Sequence, residues 1–368
     1  MSINIKNLVP AKAIHPGEIL IDELKDRKIS QADFAQQTGI PLTQLNEIIK
    51  GKRPINADIA HRVSKALKMD AILWMNLQSN YDLDLEKIKE KTQNHLAAMD
   101  KWDMIKDHIP FSFFKKEKVT TGNPVLDIPN VYAIYGVQNF DELIGICSKQ
   151  SYARFRKSEK LTVDKVNVIG WVKLVHYKSL QIKAAPFNIA CRENLLLELK
   201  QVFKENKNTI ELTKAILSTY GIKLIIQQHP EKCAVDGIAF WSNGNPAIGI
   251  SLRHKRIDNF AFTILHELGH IFLHLVNNNN AEFIDLENEI EYAKSVEEME
   301  ANDFSKNTLI PINDWKDFML TSEAKIHKES FVKAFAATKN IHPAIVYGRF
   351  SSETGNYKIK AKIDKALN

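Results

Sequence analysis

The chain has 368 residues, enough for two or three domains, and a hydrophobic fraction of 44% provides for a sizeable core. A formal net charge of +6 is mildly basic, which permits contact with nucleic acid but does not require it. Cys147, Cys191 and Cys233 form no CxxC pair, the N-terminal stretch has no secretory pattern, and no apolar run would span a bilayer, so the expectation is a cytoplasmic protein without a disulfide framework, a thiolate zinc site or a membrane partner.

Residues 12–80 read as a run of short helices, and "SQADFAQQTGIPLTQLNEIIKGKRPIN" has the form of a helix-turn-helix. Ser30 with Asp33 resembles a capping box, Phe34 and Ala35 face inward, Gly39 allows the turn, and Leu45, Ile48 and Ile49 anchor the second helix. That helix presents Thr43, Gln44 and Asn46 outward, where early residues of a recognition helix reach base edges. Lys50, Lys52 and Arg53 at its end suit phosphates. An ordinary helical hairpin shares this spacing. Nine Lys/Arg against eight acids over residues 15–80 leave a net of +1, a weak attraction for DNA by a monomer. "HPGEILIDELKDRKISQADFAQQTGIPLTQLNEIIKGKRPI" followed by "LWMNLQSNYDL" closely resembles the HigA-type antitoxins of the XRE helix-turn-helix class, over about residues 15–82. The resemblance implies operator binding as a homodimer and neutralisation of a cognate toxin.

After residue 80, "YDLDLEKIKEKTQNHLAAMDKWDMIKDH" is charged and helical in period, with Leu85, Ile88, Thr92 and Leu96 on one face. "IPFSFFKKEKVTTGNPVLDIP" collects Pro, Gly and Lys and reads as an irregular connector. "FDELIGICSKQSYARFRKS" reads as helix, and "VIGWVKLVHYKSLQI" as helix or strand. This middle part shows no chemistry.

From residue 186 the pattern changes. "ENLLLELKQVFKENKNTIELTKAILSTYG" reads as helices with Gly221 as C-cap, "IKLIIQQ" as a strand, and "DGIAFWSNGNPAIGISL" as two strands around the turn signal Asn243-Gly244. The segment "NPAIGISL" leads, after a basic loop, into the next helix. It is expected at a sheet edge, where an extended peptide would find unpaired backbone groups, with an interior strand as the alternative.

"FTILHELGHIFLHL" is apolar except for one polar stripe. His266 and His270 are four apart, so on a helix both imidazoles can aim at one metal ion, and Glu267 beside them can act as general base on a metal-bound water. Roughly 0.02 chance matches to HExxH are expected in a chain of this composition, and Ile264, Leu265, Leu268, Ile271, Phe272 and Leu275 make it a buried helix whose polar stripe wants a partner. Zinc is the expected cofactor. Asp258 or Asn259 is expected to cap this helix. His274 lies on the same face, but three ligands in a row fit a tetrahedron poorly, so it packs or orients something nearby. A third ligand comes from "SVEEMEANDFSKNTLIP", where helical phase favours Glu298, on a face with Asn302, Ser305 and Ala301, over Glu297 and Glu300. Asn302 can hydrogen-bond an imidazole N–H.

"FTILHELGHIFLH" with the downstream "EEMEANDFSKNTLIP" resembles the ImmA/IrrE group of zinc metallo-endopeptidases, over roughly residues 186–368. The resemblance implies Glu298 as ligand and hydrolysis of a regulatory protein partner. The expected fold is α+β, predominantly α: a five-helix helix-turn-helix domain at 1–80, a mostly helical connecting region at 81–185, and a zincin-like domain at 186–368 with a small sheet and the HExxH helix. Together these imply a DNA-binding, antitoxin-like regulator with a zinc-dependent endopeptidase domain. Two alternatives stand beside it: an antitoxin or repressor whose zinc domain binds protein without cleaving it, and a peptidase whose helix-turn-helix docks protein instead of DNA.

Overall fold

The computed structural model describes residues 9–148, 165–231, 233, 235–286, 295–322, 326–359 and 362–368. His15 caps the first helix, its Nδ1 accepting from the Gly17 amide at 2.9 Å, and Pro16 takes a position in the first turn where the missing N–H costs nothing. This opens α1 (Pro16–Asp26), followed by α2 (Gln31–Thr38), α3 (Leu42–Ile49), α4 (Ala57–Leu67) and α5 (Ala71–Ile105). Gly17 is dictated by close approach, because a Cβ there would lie 1.9 Å from the Ile48 carbonyl oxygen on α3. Ser30 caps α2 by accepting from the Asp33 amide at 3.1 Å, and Gly39, with φ 66°, turns the chain toward α3. Leu20, Phe34, Leu45, Ile48, Val63 and Trp74 form the core of this unit, residues 1–103. Gln78, one turn beyond Trp74, accepts from the Ile55 amide at 2.9 Å and pins the loop after α3. The His-Pro-Gly and Trp-Met-Asn-Leu-Gln stretches are therefore capping and packing devices.

The second unit comprises residues 104–368. The segment 109–129 is not the irregular connector expected of it. It holds α6 (Phe111–Lys116) and the start of α7 (Pro124–Tyr135). Its Pro and Gly punctuate two short helices: Asn123 caps α7 by accepting from the Val125 amide at 3.1 Å, and Asp127 accepts from the Thr121 and Gly122 amides at 2.7 and 2.8 Å. α8 (Phe140–Ser148) and α9 (Lys165–Leu180) follow, so the ambiguous stretch at 168–182 is helical to residue 180. The helical reading of 149–158 falls outside the described residues. α10 (Arg192–Glu205) and α11 (Thr209–Thr219) lead into the sheet, with Gly221 just past the α11 terminus at φ 78°.

The sheet holds β1 (Lys223–Ile226), β2 (Val235–Ser242), β3 (Asn245–Ile250) and β4 (Glu282–Leu286), in the order β1-β3-β2-β4. β2 and β3 form a hairpin through Asn243 and Gly244, both left-handed at φ 47° and 80°, as a tight two-residue turn requires. β1 pairs in parallel with the other side of β3, Lys223 opposite Ala247 and Ile226 opposite Ile250. β3 is therefore interior, and the expectation of an edge strand at 245–252 is corrected. Among the described residues the edge strands are β1 and β4, and β4, unforeseen in the sequence, pairs antiparallel with β2.

α9 covers one face of the sheet; a Cβ on Gly249 would sit 2.5 Å from Val175. α12 (Ile257–His270) covers the other, burying Ile264, Leu265 and Leu268, followed by a π-helical turn at Ile271–Leu275. α12 starts from Arg256 in extended backbone with no side-chain cap. This corrects the expectation of Asp258 or Asn259 as cap: Asp258 lies inside the first turn, 6% exposed, and is held by the Arg256 guanidinium. α13 (Val296–Leu309), α14 (Ile312–Ser322), α15 (Glu329–Thr338) and α16 (Pro343–Thr354) complete the unit, with α13 and α16 packed on α12. Among the described residues no helix is long and apolar enough to cross a membrane.

Candidate metal site and candidate nucleic-acid interface

α12 and α13 approach closely because small residues meet. A Cβ on Gly269 would lie 3.0 Å from Ala301 Cα, and Ser305 Oγ donates to the Phe262 carbonyl at 2.9 Å. Ser295 opens α13 by accepting from the Glu298 amide at 3.2 Å, which sets the phase that turns Glu298 inward and leaves Glu297 and Glu300 exposed. His266, His270 and Glu298 converge. Nε2 of His266 and Nε2 of His270 are 3.1 Å apart, and they lie 3.3 and 3.2 Å from the two Glu298 oxygens. A tetrahedral ion about 2.0–2.1 Å from nitrogen and oxygen ligands places those ligands about 3.3 Å apart, so this donor set fits one small divalent cation. The three residues are at most 3% exposed.

Glu267 lies alongside, fully buried, and among the described residues neither of its carboxylate oxygens has a hydrogen-bond partner. A buried carboxylate so placed is costly without a cation or a proton. Burial, with the negative charges of Asp285, Glu298 and Asp236, pushes its pKa well above the usual carboxylate range. Burial would raise Glu298 too, but the imidazoles of His266 and His270 facing its two oxygens bring it down to about 2. Burial depresses His266, and the Glu298 carboxylate beside it and the Asp285 charge outweigh that, for a net rise. Burial takes His270 down to about 4 against the opposing pull of Glu298. Asn302 faces His266 and favours its charged form, although His266 Nδ1 lacks a hydrogen bond of ordinary geometry.

Sequence reasoning missed what β4 brings. Phe283 pairs with Ala239 and Asp285 with Gly237, so both face α12. Phe283 stacks on the His270 ring, centroids 4.5 Å apart, and an Asp285 oxygen lies within 4.8 Å of His266 and Glu267 ligand atoms. The alternation in "EFIDL" carried the signal, but nothing local says which face is inward. Gly237 on β2 is the other missed residue: a Cβ there would lie 2.1 Å from Glu267 Oε1. His274, on the π turn, joins His270 to Glu300, with Nδ1–Nδ1 at 3.2 Å and Nε2–Oε2 at 2.9 Å.

In the N-terminal unit, α3 follows Gly39 as the second helix of a helix-turn-helix. Leu45 and Ile48 are buried, Thr43 is exposed, and Gln44 and Asn46 are partly exposed. Lys50, Lys52 and Arg53 are exposed beyond its end, and Arg53 Nε donates to Glu47 Oε2 at 2.7 Å, so part of its charge is already matched.

Residues 20–73 match the helix-turn-helix family, and residues 218–341 match the family described as the IrrE N-terminal-like domain. Virulence-associated protein I of Dichelobacter nodosus is 38% identical over 95 residues, which is 26% of this chain and 86% of that protein. Among solved structures, an addiction module antidote protein of a HigA family from Coxiella burnetii is 36% identical, covering 22% of this chain and 90% of that one, with a TM-score of 0.21. Pseudomonas aeruginosa antitoxin HigA with its promoter is 38% identical, covering 22% and 90%, with a TM-score of 0.22.

Proposed function

This chain belongs to the helix-turn-helix family through its N-terminal unit and carries an IrrE N-terminal-like domain in its C-terminal unit, and from that premise we propose that it is a cytoplasmic DNA-binding regulator with a zinc-dependent endopeptidase centre. The observation that carries the reading is the buried triangle of His266, His270 and Glu298 with the unpartnered Glu267 carboxylate beside it.

His266, His270 and Glu298 would hold the ion, two imidazoles and a carboxylate being a donor set suited to zinc. When bound, zinc supplies Lewis acidity toward a peptide carbonyl and water. Glu267 takes a proton from water and returns it to the departing amine. Glu298, held ionised, offsets the positive charge of the ion. β4, an edge strand among the described residues, would receive an extended segment of a protein substrate, in place of the β3 strand favoured by sequence. In the N-terminal unit, Thr43, Gln44 and Asn46 would read base edges of an operator, and Lys50, Lys52 and Arg53 would contact phosphate, as a homodimer. The protein partner is a cognate toxin or a regulatory protein. The test is Glu267→Gln, assayed on a partner that co-purifies with the chain. It should retain zinc and lose cleavage, and retained turnover would refute Glu267 as the base.

A second reading has its own support in the burial of the centre. His266, Glu267, His270 and Glu298 are each at most 3% exposed, and Phe283 lies on His270. A centre this closed suits an antitoxin or repressor whose zinc domain binds a protein without cutting it. A stoichiometric complex with an intact partner and full zinc would select this reading.

A further inference from the structure

His270 can give a lone pair to a cation only through Nε2, the atom that faces His266 and Glu298. Its proton must then sit on Nδ1 and needs an acceptor. The nearest ring nitrogen is Nδ1 of His274, at 3.2 Å. That nitrogen accepts only if the His274 proton is on Nε2, and Nε2 lies 2.9 Å from Glu300 Oε2. The donors and acceptors close in one sense: His270 Nδ1–H to His274 Nδ1, and His274 Nε2–H to the Glu300 carboxylate.

The backbone supports the same reading. Residues four apart share a helix face, so His274 follows His270 on the side that carries the site. Here the helix widens to a π turn, Val276 N donating to the Ile271 carbonyl five residues back at 3.2 Å, and the two rings lie 5.3 Å apart. Such turns are rare and frequent at functional sites. At His266, among the described residues, Nδ1 has no hydrogen bond of ordinary geometry and Asn302 is the polar side chain that faces the ring.

We propose that His274, on the π turn, is a positioning residue, and that Glu300 acts through it to hold His270 in the tautomer that presents Nε2 to the metal. This rests on the reading of His266, His270 and Glu298 as a metal site. Partners at this remove from the metal typically change affinity by about tenfold to a hundredfold. Glu300 is half exposed, its side chain at 55%, so its own effect belongs at the low end.

The experiment is zinc affinity of the full chain by competition with a chromophoric chelator, the cobalt-substituted visible spectrum, and thermal unfolding of the metal-free protein. His274→Phe keeps a flat ring against Phe283 and His270 but removes the acceptor; it should bind zinc about tenfold more weakly or worse. His274→Gln keeps an acceptor and a donor and should stay within about threefold of the wild type. Glu300→Ala, at an exposed position that folding does not need, should fall between them. Metal-free unfolding should be unchanged in Glu300→Ala and His274→Gln. If the wild type binds zinc and all three variants match it, the relay is wrong and the metal site stands. If His274→Phe changes the cobalt spectrum to that of a smaller nitrogen ligand set, His274 is itself a ligand and the positioning role is overturned. If the wild type binds no zinc, the metal site falls and the relay with it.

Discussion

Gly237→Ala probes the contact between the sheet and the Glu267 carboxylate. The added Cβ would stand 2.1 Å from Oε1, 2.9 Å from Cδ and 3.2 Å from Cγ. Ordinary contact begins at 3.4 Å, so the carboxylate has to retreat by about 1.3 Å. Glu267 is fully buried, and β2 is held at this residue from both sides, by Ile250 and Asp285. Overpacking of this kind costs about 1–3 kcal/mol. Alanine returns about 0.4–1 kcal/mol by restricting the unfolded chain. A net loss of about 1–2 kcal/mol should lower the melting temperature by about 2–8 °C in a unit of this size. The assay is a double-mutant cycle with Glu267→Asp, read by chemical denaturation. The shorter acid vacates the space the Cβ needs, so the double variant should recover about 1 kcal/mol relative to the sum of the single changes. Zinc content should survive, because neither residue belongs to the ligand triangle, while any hydrolysis should drop about a hundredfold from misplacement of the base. A Gly237→Ala protein as stable as the wild type, with an additive cycle, would refute the contact.

Metal analysis should find about one zinc per chain, lost in His266→Ala and His270→Ala, and Glu298→Gln should weaken binding far more than Glu297→Gln; equal effects would remove Glu298 from the ligand set. His176, its ring 4.1 Å from that of Phe240 and tilted against it, is held down to about 3 by burial, with Lys173 adding to the depression and the Glu282 carboxylate facing it at 3.6 Å. The unfolded chain therefore binds more protons between pH 3 and 6.5, so this stability is complete above about pH 6.5 and is lost as pH falls, by at most about 1.4 kcal/mol per unit. Denaturation at pH 7 and pH 5 should show a smaller acid loss in His176→Phe than in the wild type, and parallel losses would contradict this. On promoter DNA at two salt levels, Lys52→Ala should reduce the slope of log affinity against log salt by about one, Glu47→Gln should tighten binding by releasing Arg53, and Thr43 and Gln44 should alter sequence preference; an unchanged slope would mean that Lys52 touches no phosphate.

What the sequence alone determined is what short-range geometry determines. The four-residue spacing of His266 and His270 puts both rings on one face whatever surrounds the helix, and the phase of α13 likewise turns Glu298 inward. Ser30, Gly39 and the Asn243-Gly244 pair act within a few residues of themselves, so the helix-turn-helix and the hairpin were legible. The sequence did not decide whether β3 lies at an edge. That depends on β1, more than twenty residues upstream, crossing over to pair with it in parallel, and apolar alternation is alike for an edge and an interior strand. The same holds for β4, whose residues gain meaning only when pairing with β2 turns Phe283 and Asp285 toward the histidines. The cap of α12 followed suit, because Asp258 is drawn to Arg256 and packed against Gly348 of a helix ninety residues on. The Glu267 environment is likewise tertiary: burial and three neighbouring acids from β2, β4 and α13 set its proton affinity, and Gly237 sets its position. Local periodicity names the groups that can do chemistry, and long-range strand pairing and helix packing decide how far they are shielded, charged and aligned.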